Sequence, residues 1–156
     1  MPRRKQTNRR LRLADAKYNN ATLAEIINKV MYSGKKSTAQ RVLYSALDII
    51  QEKEKNDPIA VLELALKNST PLLEVKARRV GGATYQVPVE VDAGRGRSLA
   101  IRWLIKAVRT RSGKSTAEKF ASELLDASKG QGATVKKREE AHKMAEANRA
   151  FAHYRW

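Results

Sequence analysis

The amino-acid pattern predicts a mainly α fold, a bundle of about six helices with an inserted, protruding two-stranded β-hairpin. Apolar residues recur at helical spacing in six segments. Residues 72–91 switch to strict alternation around a glycine pair. Gly, Pro and capping residues punctuate the joints. Hydrophobic residues make up 42% of the 156, enough for a single core.

Residues 1–12 hold Arg3, Arg4, Lys5, Arg9, Arg10 and Arg12, with no acid and no apolar period. Residues 1–18 are read as a basic arm that orders only when bound. A helical domain is expected over 19–150 and a short tail over 151–156. The first helix carries Leu23, Ile26, Ile27, Val30 and Met31 on one stripe, with Thr22 and Glu25 as a capping box and Gly34 as the stop. The second begins at Ser37 with Gln40 and carries Val42, Leu43, Ala46, Leu47 and Ile50. The third takes Asp57 as N-cap and Pro58 at its first position. It is apolar on most faces, and acids slightly outnumber bases over residues 50–70. This helix is expected in the core, turned away from any polyanion.

In the hairpin, Val75 and Ala77 alternate with Lys76 and Arg78, and Val87 and Val89 alternate with Pro88 and Glu90. A two-residue turn at Gly81-Gly82 would set Lys76 opposite Val87 and mix charged with apolar residues on one face. A loop of three or five residues keeps the apolar face intact and is therefore expected. Pro88 should point its missing donor away from the partner strand. The fourth helix starts near Ser98, or slightly earlier around Gly94 and Gly96, and buries Ala100, Ile101, Leu104, Ile105 and Val108. The fifth follows the capping box Ser115 to Glu118 and stops at Gly130; a sixth runs from Thr134 towards Arg149.

Charge narrows the function. Lys and Arg total 32 against 16 Asp and Glu, a net +16. Such self-repulsion calls for a polyanionic partner. No Cys is present, which excludes disulfides and thiolate metal sites. No apolar run approaches the roughly 18 residues of a membrane span, and no secretory leader is legible at the N-terminus. The chain reads as intracellular, without a membrane partner, cofactor, metal or small-molecule substrate.

The positive charge is clustered. Arg95, Arg97, Arg102, Lys106, Arg109, Arg111, Lys114 and Lys119 face Glu118 alone across residues 95–119. Arg95, Arg102, Lys106 and Arg109 fall within about 60° of arc on a helix, opposite its apolar stripe. Lys76, Arg78 and Arg79 lie on the hairpin, Lys35 and Lys36 in the first interhelical loop, and Lys136, Lys137, Arg138 and Lys143 on the sixth helix. Spread over loops, arm and hairpin, these suit an irregular folded RNA better than a duplex groove. A helical DNA-binding regulator is the alternative. Tyr85, Trp103, Phe151, Tyr154 and Trp156 are aromatic groups of the kind that stack on bases, although core packing accounts better for Trp103.

Enzymatic readings fail on spacing. Ser33-Gly34-Lys35-Lys36 and Ser112-Gly113-Lys114-Ser115 look like phosphate loops, but Lys29 and Val108 stand where a P-loop needs its first glycine. On one continuous helix, His142 and His153 would lie about 16 Å apart, too far to share a phosphate. His142 is read as a surface or RNA-contact histidine.

The segment from Lys76 to Pro88, KARRVGGATYQVP, resembles the hairpin of bacterial small-subunit ribosomal protein seven. Ser33 to Ser37 with Arg41 to Tyr44, Leu99 to Leu104, and Lys137 to Arg149 resemble its first loop and second helix, its fourth helix and its last. The resemblance implies binding to the 3′ major domain of small-subunit rRNA early in assembly of the head. By extension Arg41, Lys119 and His142 join the basic clusters and the arm as rRNA contacts. It implies a place beside the exit-site tRNA and the mRNA, approached by Arg78, Arg79, Gly81, Gly82, Thr84, Tyr85 and Arg149. Small-subunit ribosomal protein eleven and other head proteins would be neighbours. Some members repress translation of their own operon. The expected location is the small ribosomal subunit in a cytoplasm, or in a plastid stroma.

Overall fold

The computed structural model describes residues 13–154. In chain order they form α1 (Ala21–Val30), α2 (Lys36–Glu54), α3 (Pro58–Ser69), β1 (Leu73–Val80), β2 (Ala83–Glu90), α4 (Ala93–Thr110), α5 (Thr116–Ser128) and α6 (Gly132–Ala147). A 3₁₀ segment, Arg149–Tyr154, follows. The architecture is the expected helical bundle with one antiparallel hairpin.

The α5 helix sits centrally and packs on α2, α3, α4 and α6. Its Phe120 and Leu124 join Leu43 and Ile50 of α2, Leu62 of α3, and Ile101 and Leu104 of α4 in one buried cluster. Each such side chain contributes about 1.5–3 kcal/mol by leaving water. As expected, α3 buries Val61, Leu62, Ala65 and Leu66 in this core.

Capping explains most helix starts. Asp57 accepts from the Ile59 amide with Pro58 next in line, and Ser115 accepts from the Glu118 amide, both as predicted. Other starts shift. Asn20 caps α1, accepting from the Leu23 amide, in place of Thr22. The α2 helix begins at Lys36 without any side-chain cap, so Ser37 lies inside its first turn. Asp92 caps α4 through the Gly94 amide. Gly96 fits because a Cβ there would come within 3.0 Å of Thr70 and 3.3 Å of the Pro71 carbonyl. The α6 helix begins two residues before Thr134.

The hairpin corrects the expected loop. The register pairs Lys76 with Val87 and Val80 with Ala83, leaving Gly81-Gly82 as a two-residue turn. Both glycines have positive φ, 56° and 90°. That turn matches the right-handed strand twist and is the favoured short connection. The mixed face it creates is tolerated at its base because the charges beside Val87 and Val89 are paired. Glu74 accepts three hydrogen bonds from Arg95, at 2.7–2.9 Å, and pairs with Lys76 at 3.3 Å, while Val87 alongside is fully buried. Hydrogen-bonded and open pairs alternate from the closing Val80↔Ala83 pair, so Val75↔Pro88 is open and Pro88 withholds no ladder bond.

The described residues on either side of the helices also pack against the bundle and ribbon. Asp15 is buried and accepts the Tyr44 hydroxyl at 2.7 Å and the Lys17 and Tyr18 amides, which ties residues 15–18 to α2. The basic residues Arg3, Arg4, Lys5, Arg9, Arg10 and Arg12 lie outside the described residues. At the other end, Phe151 and Tyr154 pack on Tyr85 with ring centroids 5.3 and 5.1 Å apart, joining the 3₁₀ segment to the ribbon.

Candidate nucleic-acid interface

Burial of one face of α4 dictates what the other presents. Leu99, Ala100, Ile101, Leu104, Ile105 and Val108 are buried, so Arg95, Arg102, Lys106 and Arg109 project outward. Arg102, Lys106 and Arg109 make no ion pair with any described residue. The loop between α1 and α2 lies beside this stripe. Its turn closes with the Lys35 amide donating to the Tyr32 carbonyl at 3.0 Å, through left-handed Ser33 and Gly34. The Arg109 guanidinium stands 5.8 Å from the Tyr32 ring centroid, which brings loop and stripe together. Lys35, Lys36 and, further along α2, Arg41 are exposed.

Other predicted contacts divide into two sets. Arg97, Lys114, Lys136, Lys143, Arg149 and the ribbon's Arg78 and Arg79 are exposed and free of ion pairs among the described residues. Lys119 is half-buried, its stem alongside Gly113. The remainder are occupied within the protein. Arg95 and Lys76 hold Glu74. Arg95 does most to keep that carboxyl below its ordinary range, against the opposing effect of burial. Arg111 turns inward to Glu123 and Asp126, at 2.6 and 2.5 Å. Lys137 pairs with Glu140 at 2.8 Å. Arg138 donates to the Asn68 carbonyl at the end of α3.

His142 has a defined structural task. Its Nε2 accepts the Leu72 amide at 3.0 Å, fixing the base of β1 to α6. Accepting requires the neutral ring. Burial, with Arg138 adding to it, pushes the imidazole below its ordinary pKa. His153 lies in the separate 3₁₀ segment, where Nδ1 is 2.9 Å from the Ala150 carbonyl. Tyr85 stacks on protein rings, as described above, while Trp103 is half-buried on α4.

Two residues that organise the surface escaped the sequence reading. Glu74 carries no pattern that marks it; only the packed structure shows that it gathers Arg95 and Lys76. Tyr32 falls just past the α1 stripe, and no periodicity marks it.

The described residues contain no group of three or more His, Cys, Asp or Glu that could hold a metal. Residues 2–149 match the family model described as ribosomal protein S7p/S5e. The chain is 59% identical to the small ribosomal subunit protein uS7 of Dehalococcoides mccartyi (strain CBDB1), over the full length of both. It is 60% identical to that of Moorella thermoacetica and 56% to that of Geotalea daltonii, again over the whole of each chain.

Proposed function

The chain belongs to the ribosomal protein S7p/S5e family and is a non-enzymatic structural protein of the small ribosomal subunit, and we propose that its cationic surface grips a folded junction in the 3′ major domain of small-subunit rRNA. One observation carries this reading. The exposed cations Arg102, Lys106 and Arg109, without ion pairs among the described residues, form a stripe that meets the Lys35-Lys36 loop at Arg109 and Tyr32, while α3 buries its apolar residues in the core. Cations on elements at different angles follow an irregular phosphate path better than a straight groove. Binding would nucleate assembly of the subunit head, with Lys114, Lys119, Lys136 and Lys143 extending the contact. The basic residues of the arm, over the proposed span 1–18, add further phosphate contacts.

The ribbon is proposed for a second ligand. Arg78 and Arg79 on β1, Gly81 and Gly82 in the turn, and Thr84 would approach exit-site tRNA and mRNA. Arg149 and Tyr85 lie further back, where the 3₁₀ segment braces the strand. Small-subunit ribosomal protein eleven and other head proteins are the proposed neighbours, and a bacterial cytoplasm the proposed location, in keeping with the bacterial relatives. A similar junction in the protein's own messenger would be taken by the same surface. The plastid and DNA-binding alternatives have nothing further in their favour.

Neutralising about 6–10 phosphates should weaken binding to an rRNA junction fragment roughly 10³- to 10⁵-fold between about 50 and 200 mM salt. Duplex DNA should compete poorly. A flat salt response, or equal competition by DNA, would refute the proposal.

A further inference from the structure

We propose that Tyr32 is a stacking site for an unpaired nucleobase of the bound RNA, with Arg109 as its electrostatic neighbour. The proposal rests on the RNA-binding reading and goes beyond it, from phosphate neutralisation to a contact with a base. Tyr32 is 76% exposed, whereas Tyr18, Tyr44, Tyr85 and Tyr154 are each half-buried against another aromatic ring. A large ring left in water at the centre of a cationic surface calls for a partner with a π-face.

The backbone holds the ring in place. Tyr32 opens a closed turn whose two central residues are both left-handed, Ser33 at φ 49° and Gly34 at φ 75°. Serine adopts this conformation at a cost in strain. Immediately before it, the Met31 amide donates to the Ile27 carbonyl and caps α1. The ring is therefore carried between a helix end and a tight turn, and little loop ordering would remain to oppose binding.

The surroundings select the ligand. The guanidinium at 5.8 Å lies in cation–π range of the ring. Arg109, Arg102 and Lys106 on one side and Lys35 and Lys36 on the other are exposed without ion pairs among the described residues. An apolar protein partner would have to desolvate these charges, which is costly. A nucleotide satisfies both parts, its base on the ring and its phosphates on the cations. A looped or bulged nucleotide fits best, because a paired base has no free face.

The test uses the full chain and a transcribed 3′ major-domain rRNA fragment at fixed salt. Tyr32→Ala should reduce affinity about 5- to 150-fold, the range for loss of one stacked base. Tyr32→Phe and Tyr32→Trp should stay within about twofold of the parent, and Tyr32→Leu should fall with Ala. The salt slope of Tyr32→Ala should match the parent's, whereas Lys35→Ala should lower it by roughly 0.7–0.9. The thermal midpoint of Tyr32→Ala should not move, since the ring is exposed. An Ala variant that binds within about twofold of the parent overturns the stacking site and leaves the phosphate-binding reading standing. So does a Leu variant that binds as well as the parent, because the contact would then not be stacking. A parent that binds without salt dependence refutes the underlying reading, independently of any variant.

Discussion

Glu123 carries a carboxylate at 1% exposure, and three hydrogen bonds keep it there. Oε1 accepts the Thr134 amide and hydroxyl at 2.9 and 2.7 Å, and Oε2 accepts Arg111 at 2.6 Å. One side chain on α5 thus caps α6 and draws in the loop after α4. Glu123→Ala should destabilise the fold by about 1–3 kcal/mol, because the buried Thr134 amide and hydroxyl lose their acceptor while Arg111 keeps Asp126. Denaturant titration measures this, and a loss under about 1 kcal/mol would contradict it. His142 makes a prediction in pH. Its folded pKa lies below the unfolded value of about 6.5, so the folded state binds fewer protons. Its contribution is full above about pH 6.5 and is lost as pH falls through the lower folded pKa. His142→Gln should therefore flatten the decline in stability between about pH 7 and pH 5. A pH profile identical to the parent's would rule this out.

At the scale of elements, the ribbon shows how local and tertiary preferences compete. Parity of the apolar residues favoured an odd loop, yet the chain folds with Lys76 opposite Val87. Gly81-Gly82 suits the two-residue turn so well that the strand charges are accommodated by pairing Glu74 with Arg95 and Lys76. Because the register is known, the ribbon can be shortened without shifting it. Deleting Arg79, Val80, Ala83 and Thr84 brings the turn to the Arg78↔Tyr85 pair and keeps every pair below. This variant should keep its rRNA affinity and salt slope, and should release exit-site tRNA faster from reconstituted subunits. Loss of rRNA binding instead would make the tip a primary anchor.

Across the whole molecule, a charge of +16 acts in opposite directions on stability and on binding. The free protein repels itself, and salt shortens the range of that repulsion from about 30 Å at 0.01 M to about 8 Å at 0.15 M. Raising salt over this interval should increase the thermal midpoint of the free protein while lowering its affinity for rRNA. A midpoint that falls with salt would mean that internal pairs such as Arg111–Glu123 outweigh the excess. The pairs already formed divide the cations into a structural set, with Arg95, Arg111, Lys137 and Arg138, and an exposed set centred on Arg102, Lys106 and Arg109. This division was not legible beforehand, since Arg95 and Arg102 lie on the same predicted helix face.

The helices, their apolar faces, the caps at Asp57 and Ser115, the ribbon's position and the clustering of positive charge are legible in the amino-acid order alone. These depend on local propensity and on periodicity along a single element, and both are written in consecutive residues. The strand register, the pairing of Glu74 and Glu123 with distant arginines, the neutral task of His142 and the meeting of Tyr32 with Arg109 emerge only from packing. Each of these joins groups separated along the chain. Their energies depend on distance and burial, which appear only once the elements pack.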